Sequence, residues 1–442
     1  MKKHFILIFF VPLTFIFPQN SNWSQPIKIS NHGNELQPDY TVDKDGNIHC
    51  VWSQNYGGNF QKIYYSKSID GGNIWTIPYD ISQNEDLWLG SPKICSDSQN
   101  NLYVIYDYDI GSLYNAVVHF RKYDGHKWND AIDITAGYNS SNIIELAIDN
   151  NDRIYVFWQH NWDIILYKYL ENGIWSNIDT IYNDENEYYI REVIADKDNN
   201  LHCVANIKPN DGGEYSYNVT YFNYNYEKNS WSEKVYLATN TARDWIDLDL
   251  DSLEQPHVVW SQFRDDGLPP PLGSFYSYLN RNYWTQAVAI GKQNAQREFP
   301  SIVFDNNYKP LSVLWREYGQ GNARYYYLVE YDYSDGSESF LVDSVKESPG
   351  IPILFSHENN LYMFTKVYDI SKDSQFVAIR KKNVITRVSK SNKSEKIFKL
   401  QQNYPNPFNP STKISYIIPN NTDIARSDAT WQSSVETGYI PS

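Results

Sequence analysis

Cysteine and methionine are scarce in this sequence, with 3 and 2 residues among 442. An odd number of cysteines argues against a disulfide framework. Cys50 and Cys203 stand in matching contexts, N-I-H-C-V and N-L-H-C-V. We therefore expect Cys50, Cys95 and Cys203 to be buried free thiols within strands. A bridge between Cys50 and Cys95 is the alternative.

Positively charged residues are also fewer than negatively charged ones. The chain has 38 Lys and Arg against 53 Asp and Glu, a net charge of −15 at pH 7. Nucleic acids and anionic membrane surfaces are bound by clustered cations, so the charge argues against both partners. It suits a soluble extracellular protein, which we expect to be a monomer. We predict no cofactor and no metal site, although the composition leaves calcium open.

An apolar stretch occurs at the N-terminus, where Lys2 and Lys3 precede Phe5–Phe17. This stretch is too short to span a membrane and is typical of a signal peptide, which we place at residues 1–19. No cysteine follows closely, so a lipoprotein anchor is not expected. The sequence thus predicts export, a secreted or outer-cell-surface location, and no transmembrane segment in the mature chain.

Helical periodicity is lacking, and a repeat of short strands takes its place. Pro38–Ser82 contains four strand-like segments separated by turns such as D-K-D-G-N. The unit recurs about seven times at roughly 40–50 residues, as in a propeller of four-stranded antiparallel blades. The sequence therefore predicts an all-β, seven-bladed β-propeller over residues 20–389, or six blades if the weak last unit is a cap. The repeat is marked at one position by Trp52, Tyr106, Trp158, Ala205, Trp260, Trp315 and Phe364.

The segment Asn22–Ser30 copies the fourth strand of the unit and precedes any first strand. We expect it to complete the last blade, because this closes the ring and removes an exposed edge. The last unit lacks the tryptophan of the earlier units, and Trp23 would supply it.

Ser68, Asp70, Gly72 and Trp75 spell S-x-D-x-G-x-x-W. Asp70 can accept backbone N–H bonds across the turn, Gly72 can take a positive φ, and Trp75 can fold back over the hairpin. The motif resembles the Asp-box of the sialidase-like propellers. The resemblance implies a turn-stabilising role away from the active site.

A polar linker is predicted at residues 390–399, and the segment that follows resembles the start of the C-terminal sorting domain of type IX secretion cargo from Bacteroidetes. That family continues with further strands, whereas the end of this chain shows no strand alternation. We assign 400–442 to a partial sorting domain and a disordered tail, with the type IX machinery as the implied partner. The matching residues are Asn403, Tyr404, Pro405, Asn406, Pro407, Phe408, Asn409, Pro410 and Thr412.

An aspartate recurs at one turn of the unit and is expected to be a turn residue before it is a metal ligand. These aspartates are Asp43, Asp97, Asp149, Asp196, Asp251 and Asp305. Counted back from the turn, Asp39, Glu145, Glu192 and Asp247 share one position in four units. We nominate these four carboxylates as catalytic candidates, on the loops that lead into the first strand of each blade.

Arginine and tryptophan also concentrate at the loops expected on this face. The substrate-binding candidates are Arg191, Arg243, Arg297, Arg316, Trp88, Trp162 and Trp245. Arginine pairs with carboxylates through its planar fork, and tryptophan faces stack on sugar rings. Alternatively, each charged residue belongs to an interblade salt bridge in a polar channel. His160 and His257 are interpreted as polar residues at strand ends.

A sialidase needs three arginines, a tyrosine–glutamate nucleophile pair and an acidic aspartate. The first-arginine motif of that family is missing here, and no single tyrosine stands out. We therefore predict a secreted propeller that binds extracellular glycan. The alternatives are a glycoside hydrolase of exo-sialidase type, a polysaccharide lyase acting on anionic sugars, and an adhesive surface protein without a small ligand.

Overall fold

The structure is a computed structural model, and the residues it describes all lie within one compact unit, Met1–Val384. Within this described part, no helix has the length and hydropathy needed to cross a membrane. The predicted signal peptide, linker and partial sorting domain lie outside it. The described residues are 23–30, 35–55, 61–82, 89–109, 115–140, 143–182, 184–210, 212–213, 216–241, 245–262, 273–290, 297–304, 310–318, 326–331, 340–345, 352–369 and 374–383.

The strands of the first three blades follow one another along the chain. Blade one contains β2 (Glu35–Val42), β3 (Ile48–Asn55), β4 (Gln61–Ser68) and β5 (Tyr79–Asp80). Blade two contains β6 (Leu89–Ser96), β7 (Leu102–Asp109), β8 (Ala116–Tyr123) and β9 (Ile132–Asp133). Blade three contains β10 (Ile144–Ile148), β11 (Ile154–His160), β12 (Ile164–Glu171), β13 (Ile174–Trp175) and β14 (Asp179–Thr180).

The remaining blades repeat this order, and blade seven takes its outermost strand from the N-terminus. Blade four contains β15 (Glu187–Ala195), β16 (Leu201–Lys208), β17 (Tyr217–Asn225), β18 (Ser230–Trp231) and β19 (Val235–Thr241). Blade five contains β20 (Ile246–Leu250), β21 (Pro256–Gln262), β22 (Gly273–Asn280), β23 (Tyr283–Trp284) and β24 (Val288–Ile290). Blade six contains β25 (Arg297–Phe304), β26 (Pro310–Tyr318), β27 (Tyr326–Tyr331) and β28 (Phe340–Val345), and blade seven contains β29 (Ile353–His357), β30 (Asn360–Asp369), β31 (Ser374–Asn383) and β1 (Ile27–Lys28).

The described strands form seven antiparallel sheets, and in each sheet the first three long strands are neighbours in chain order. The first strands of successive blades contact one another from β2 through β6, β10, β15, β20 and β25 to β29, and β31 contacts β2. This arrangement is a β-propeller, with the first strand of each blade nearest the axis. The prediction of an all-β propeller is confirmed.

The N-terminal segment closes the ring as predicted. Strand β1 pairs antiparallel with β31, and Ile27 lies opposite Ile379. Trp23 is buried against Val303 of blade six and Leu354 of blade seven. The backbone N–H of Ser24 donates to Lys381 at 2.8 Å, as the residue after Trp75 donates to the third strand of blade one. Trp23 therefore occupies the tryptophan position that blade seven lacks.

Interblade packing explains why the second strands are buried on both faces. Strand β3 is buried at seven of its eight residues, and the marker residues Trp52, Trp158 and Trp260 are fully buried. A fully buried large apolar side chain contributes about 1.5–3 kcal/mol relative to an exposed one. The tryptophan of each hairpin motif lies edge-on to a ring of the preceding blade, in the pairs Trp75–Phe364, Trp128–Tyr65, Trp175–Phe120 and Trp284–Tyr221.

The predicted turn chemistry is observed at both kinds of turn. Asp43 Oδ1 accepts the backbone N–H groups of Asp45 at 3.0 Å and Asn47 at 2.8 Å. Asp97, Asp149, Asp196 and Asp251 accept equivalent pairs of N–H groups, whereas Asp305 lies outside the described residues. The recurring aspartates thus stabilise turns.

The turn formed by Ser68–Trp75 in blade one is held by its own side chains. Asp70 Oδ1 accepts N–H bonds from Asn73 at 3.1 Å and Ile74 at 2.9 Å, and Ser68 Oγ donates to it at 2.8 Å. Gly72 has φ = 81°, and its carbonyl accepts from Trp75 Nε1 at 3.1 Å. These bonds agree with the predicted structural role.

The three cysteines are buried and unbridged. The expectation of free thiols is therefore confirmed, and the alternative bridge between Cys50 and Cys95 is wrong. Burial raises the pKa of the Cys50 thiol well above its ordinary value, which keeps it protonated and unreactive.

Candidate functional site

One position of the first strand, four residues before the turn aspartate, carries a polar side chain in six blades. Each of these residues pairs with the residue that precedes the marker on the second strand. Asp39 lies opposite Val51, Glu145 opposite Phe157 and Asp247 opposite Val259. The six residues are Asp39, Lys93, Glu145, Glu192, Asp247 and Ser301.

The first five of these side chains converge on the propeller axis. The charge state of Glu192, in blade four, is influenced by Glu145, Lys93, Asp247 and Asp39, which belong to four other blades. A side chain can be close to so many first strands only at the centre of the ring. We name Asp39, Lys93, Glu145, Glu192 and Asp247 the axial cluster.

Irregular pairing sets the direction of several of these side chains. The register shifts immediately before Asp39, Lys93, Glu192 and Ser301. A β-bulge re-aims the residues that follow it and is common beside functional sites. The carboxylates therefore lie within strands and not in the loops leading into them, which corrects the sequence-based placement.

The axial cluster contains a direct ion pair between two blades. Lys93 Nζ lies 2.8 Å from Glu145 Oε2, and the two side chains are 25% and 9% exposed. Two aspartates of the cluster also accept backbone N–H bonds from the next blade. Asp39 Oδ2 accepts from Ile94 at 2.7 Å, and Asp247 Oδ2 accepts from Ile302 at 2.9 Å. The cluster thus joins neighbouring first strands around the axis.

Burial raises the pKa of all four carboxyl groups in the cluster. The ammonium group of Lys93 opposes this effect at each of them. One cation cannot balance four anions, because every ionised carboxylate also penalises its neighbours. Burial likewise raises the pKa of the nearby Asp249 to about 7. Protonated and ionised carboxyl groups therefore coexist in the channel near neutral pH.

Arg191 and Trp245 meet beside this cluster. Arg191 lies in the bulge of β15, and its Nε donates to Asn206 Oδ1 at 2.9 Å. Its guanidinium carbon lies 5.1 Å from the ring centroid of Trp245, a distance suited to a cation–π contact. The Trp245 ring packs in turn on Phe299, with centroids 4.8 Å apart. Arg191 also lowers the pKa of Glu145, so it lies within electrostatic range of the carboxylates.

A second polar layer lies next to the cluster on the second strands. The residue after the marker is polar and at least 97% buried in six blades. Asp107 belongs to this layer, and burial raises its pKa to about 8, with the Ser140 hydroxyl opposing the shift. The interior around the axis is therefore hydrophilic across several blades. The layer consists of Ser53, Asp107, Gln159, Asn206, Ser261 and Thr365.

The other predicted tryptophan with a described position is Trp162, in the turn between β11 and β12. It has φ = 71°, an unusual value for a bulky residue. Its carbonyl accepts the N–H of Tyr188 at 2.8 Å and the side-chain amide of Gln159 at 3.0 Å. Its ring lies 6.0 Å from that of Tyr189. These contacts connect Trp162 of blade three to Tyr188 and Tyr189 of blade four.

Four predicted residues cannot be placed as side chains. Arg243 and Trp88 lie outside the described residues. Arg297 pairs with Glu317 across β25 and β26, and Arg316 pairs with Glu298, but only the backbone of these four residues is described. Their predicted role in substrate binding stays a prediction.

Lys93 is the residue that sequence reasoning missed. Its signal was available, because it precedes Asp97 by the same four residues that separate Asp39 from Asp43. Lys93 differs from the other charged residues at this position because its charge is positive. The two lone histidines have structural contacts, as predicted: His160 Nδ1 lies 2.8 Å from the carbonyl of Asn139, and His257 Nδ1 lies 2.6 Å from Tyr276 Oη.

Among the described residues, no group of three or more His, Cys, Asp or Glu side chains is arranged so that it could hold a metal ion. No protein family model matches the sequence, and no curated protein matches it either.

Solved structures do resemble this chain. An ulvan lyase, a polysaccharide lyase, has a TM-score of 0.53 and 12% identity, over 80% of this chain and 95% of the lyase. An α-L-arabinanase from Penicillium chrysogenum has a TM-score of 0.48 and 12% identity, over 82% and 99% of the two chains. A Hadza microbial sialidase has a TM-score of 0.44 and 10% identity, over 79% and 66%. The likeness to the ulvan lyase supports the fold, and the protein is a β-propeller with a polar axial channel.

Proposed function

We propose that the protein binds an extracellular glycan at the axial cluster. The observation that carries this proposal is the Arg191–Trp245 contact beside the Lys93–Glu145 ion pair. A sugar presents hydroxyl groups and an apolar ring face, and such a ligand needs both hydrogen-bonding groups and an aromatic surface. The axial cluster supplies the hydrogen-bonding groups, and Trp245 supplies the aromatic surface.

The mixed protonation of the cluster suits hydroxyl recognition. An ionised carboxylate only accepts hydrogen bonds, whereas a protonated one also donates. Glu145 and Glu192, with raised pKa values, can therefore present both kinds of group to a polyol. The ulvan lyase of the same fold was solved bound to -[GlcA(1-4)Rha3S]-, a ligand of the class proposed here.

A second candidate function is cleavage of that glycan. Two carboxyl groups with different protonation states are the groups that glycoside hydrolysis uses as acid and base, or as acid and nucleophile. Glu145 and Glu192 are the candidates for such a pair: burial raises the pKa of both, and the charge of Glu145 raises the pKa of Glu192 further. The exo-sialidase and lyase alternatives both belong to this second candidate.

The cellular setting is part of the same proposal. The N-terminal signal peptide and the segment that resembles a type IX sorting domain support export to the cell surface or medium. The type IX machinery is the proposed partner for that step. The sialidase-like family, suggested by Ser68, Asp70, Gly72 and Trp75, is proposed on the same sequence grounds.

A glycan array probed with the mature protein tests binding. We expect at least one hit that is lost on Glu192→Gln and retained on Glu171→Gln. Glu171 accepts from Arg153 at 2.6 Å on a hairpin away from the channel. An array without hits would favour the adhesive protein. A screen on fluorogenic glycosides, sialosides included, separates binding from cleavage: turnover abolished by Glu192→Gln would contradict a function in binding alone.

A further inference from the structure

A cavity of 640 Å³ lies between blades two and three, away from the axial cluster. Its walls include the turn after β6, at Asp97–Asn101, and the turn after β10, at Asn151 and Asp152. These turns join the first strand of a blade to its second. They therefore lie on the face opposite the loops that lead into the first strands. The cavity is thus a separate site on the other side of the propeller.

The cavity is open because blade three has a shortened hairpin. In blade one the loop formed by Ser68–Trp75 covers the boundary with blade seven: a Cβ on Gly71 would lie 3.3 Å from Tyr362 Oη, and one on Gly72 would lie 3.5 Å from Ile379 Cδ1. In blade three the loop shrinks to Asn172 and Gly173, with φ values of 51° and 79°. A Cβ on Gly173 would have no neighbour within 4 Å. The crevice that a longer loop covers elsewhere is exposed here.

The walls of this cavity combine aromatic rings with amides. Trp175 stands edge-on to Phe120, with centroids 5.0 Å apart, and Lys122 Nζ lies 5.2 Å above the Tyr103 ring. Ile132 is 41% exposed on the wall. Aromatic walls with a few polar groups are typical of ligand sites of 300–1,000 Å³. The exposed amides of the wall are Gln99, Asn129, Asn151 and Asn172.

The two carboxylates of the wall are engaged in the fold. Asp97 accepts hydrogen bonds from Asn101 Nδ2 at 2.7 Å and Tyr103 Oη at 2.9 Å. Asp152 accepts from the N–H of Ser98 at 2.8 Å and from its hydroxyl at 2.6 Å. The ammonium group of Lys122 lies over the Tyr103 ring, and the exposed amides supply the other polar groups of the wall. Two of these amides, Gln99 and Asn129, also form hydrogen bonds within the fold. The chemistry therefore favours a neutral ligand that has both hydroxyl groups and an apolar ring face.

We infer that this groove is a second carbohydrate site, which binds a neutral oligosaccharide. The amides bond the hydroxyl groups, and Trp175 and Ile132 pack against the sugar rings. This inference does not depend on the axial cluster. A chain with one glycan site on each face would bind polysaccharide with two points of attachment, which strengthens retention on an extended polymer.

Affinity electrophoresis of the full mature protein tests the groove, in gels that contain β-glucan, xylan, galactomannan or arabinogalactan. We expect at least one of these neutral polymers to retard the protein. Ile132→Arg and Asn172→Gly should each weaken the retardation constant at least tenfold. Glycine at position 172 keeps the left-handed backbone, so this variant remains informative if Ile132→Arg fails to fold.

Two controls separate this site from the axial one. Ile74→Arg changes an isoleucine that is 73% exposed on blade one and should retain full retardation. Glu192→Gln should retain the retardation that the groove supplies. The inference is overturned if none of the four polymers retards the protein, or if both groove variants behave as the wild type. Loss of retardation with Glu192→Gln alone would also overturn it, because binding would then belong to the axial cluster.

Discussion

Lys93 on blade two and Glu145 on blade three form an ion pair of 2.8 Å at the centre of the ring. Both residues occupy the first-strand position four residues before a turn aspartate. The ammonium group also lies within electrostatic range of Asp39 and Glu192, so it opposes the repulsion among carboxylates from three blades. This relationship makes Lys93 central to the stability and the chemistry of the channel.

Replacing Lys93 by methionine should destabilise the protein by about 3 kcal/mol at pH 7, because it leaves a buried carboxylate without its partner. The loss should be smaller at pH 5, where the carboxyl groups of the cluster are more protonated. Urea unfolding at both pH values measures it. Lys62→Met is the control: its pair with Asp80 is 2.8 Å long with side chains 32% and 26% exposed, so the expected cost is below about 1 kcal/mol. Equal losses of unfolding free energy at pH 5 and pH 7 would show that Lys93 does not stabilise ionised carboxylates of the axial cluster.

Asp249 provides a test of burial without a direct ion pair. Burial raises the pKa of Asp249 to about 7. A carboxyl group whose folded pKa exceeds its unfolded value binds its proton more tightly in the native state. The free energy of unfolding of the protein therefore decreases as pH rises from about 4 to 7. Asp249→Asn should therefore gain stability relative to the wild type across that range, on the order of 3 kcal/mol. A pH-independent difference between the two proteins would show that Asp249 titrates normally.

His257 should titrate in the opposite sense. It lies between Tyr276 Oη at 2.6 Å and Asp251 Oδ2 at 3.5 Å. Burial lowers its pKa to about 4. Below about pH 6.5 the unfolded chain binds a proton at this histidine that the native state does not bind. The free energy of unfolding therefore decreases as pH falls from about 6.5 to 4. NMR titration of the imidazole should show a neutral ring at pH 5, and a midpoint near 6.5 would be incompatible with the buried position.

Ring closure can be tested at the N-terminus. Trp23 packs against Val303 and Leu354. Trp23→Ala should cost about 3 kcal/mol, the range for a large aromatic residue deleted from a core. Ser24→Gly leaves the backbone bond to Lys381 and should cost much less. Thermal unfolding of the two variants compares them, and similar melting temperatures would contradict closure by this segment.

The repeat, the sheet order and the closing strand could be predicted because each depends on local pattern. A turn aspartate recurs in six of the seven units, and alternation of side chains fixes the strands between turns. The bulge before Asp39 could not be predicted in this way, since it depends on pairing with β3 and on the neighbouring blade. The Lys93–Glu145 pair was missed for a related reason: Lys93 has the same sequence position as the acidic residues but the opposite charge.

The groove between blades two and three illustrates the same limit. The sequence shows a short turn at Asn172 and Gly173, but it does not show what a longer loop covers in blade one. Contacts between Gly72 and blade seven supply that information. Packing between residues far apart in the sequence therefore determines which of the crevices between blades is open. The sequence pattern shows only the repeat itself.

Titration calorimetry with the best array glycan that the Ile132→Arg variant still binds tests the central claim most directly. The account predicts that Glu192→Gln weakens binding at least tenfold, because the variant removes a titratable carboxyl group from the axial cluster, while Glu171→Gln binds as the wild type does. Unchanged affinity in Glu192→Gln, with intact folding, would contradict glycan binding at the propeller axis.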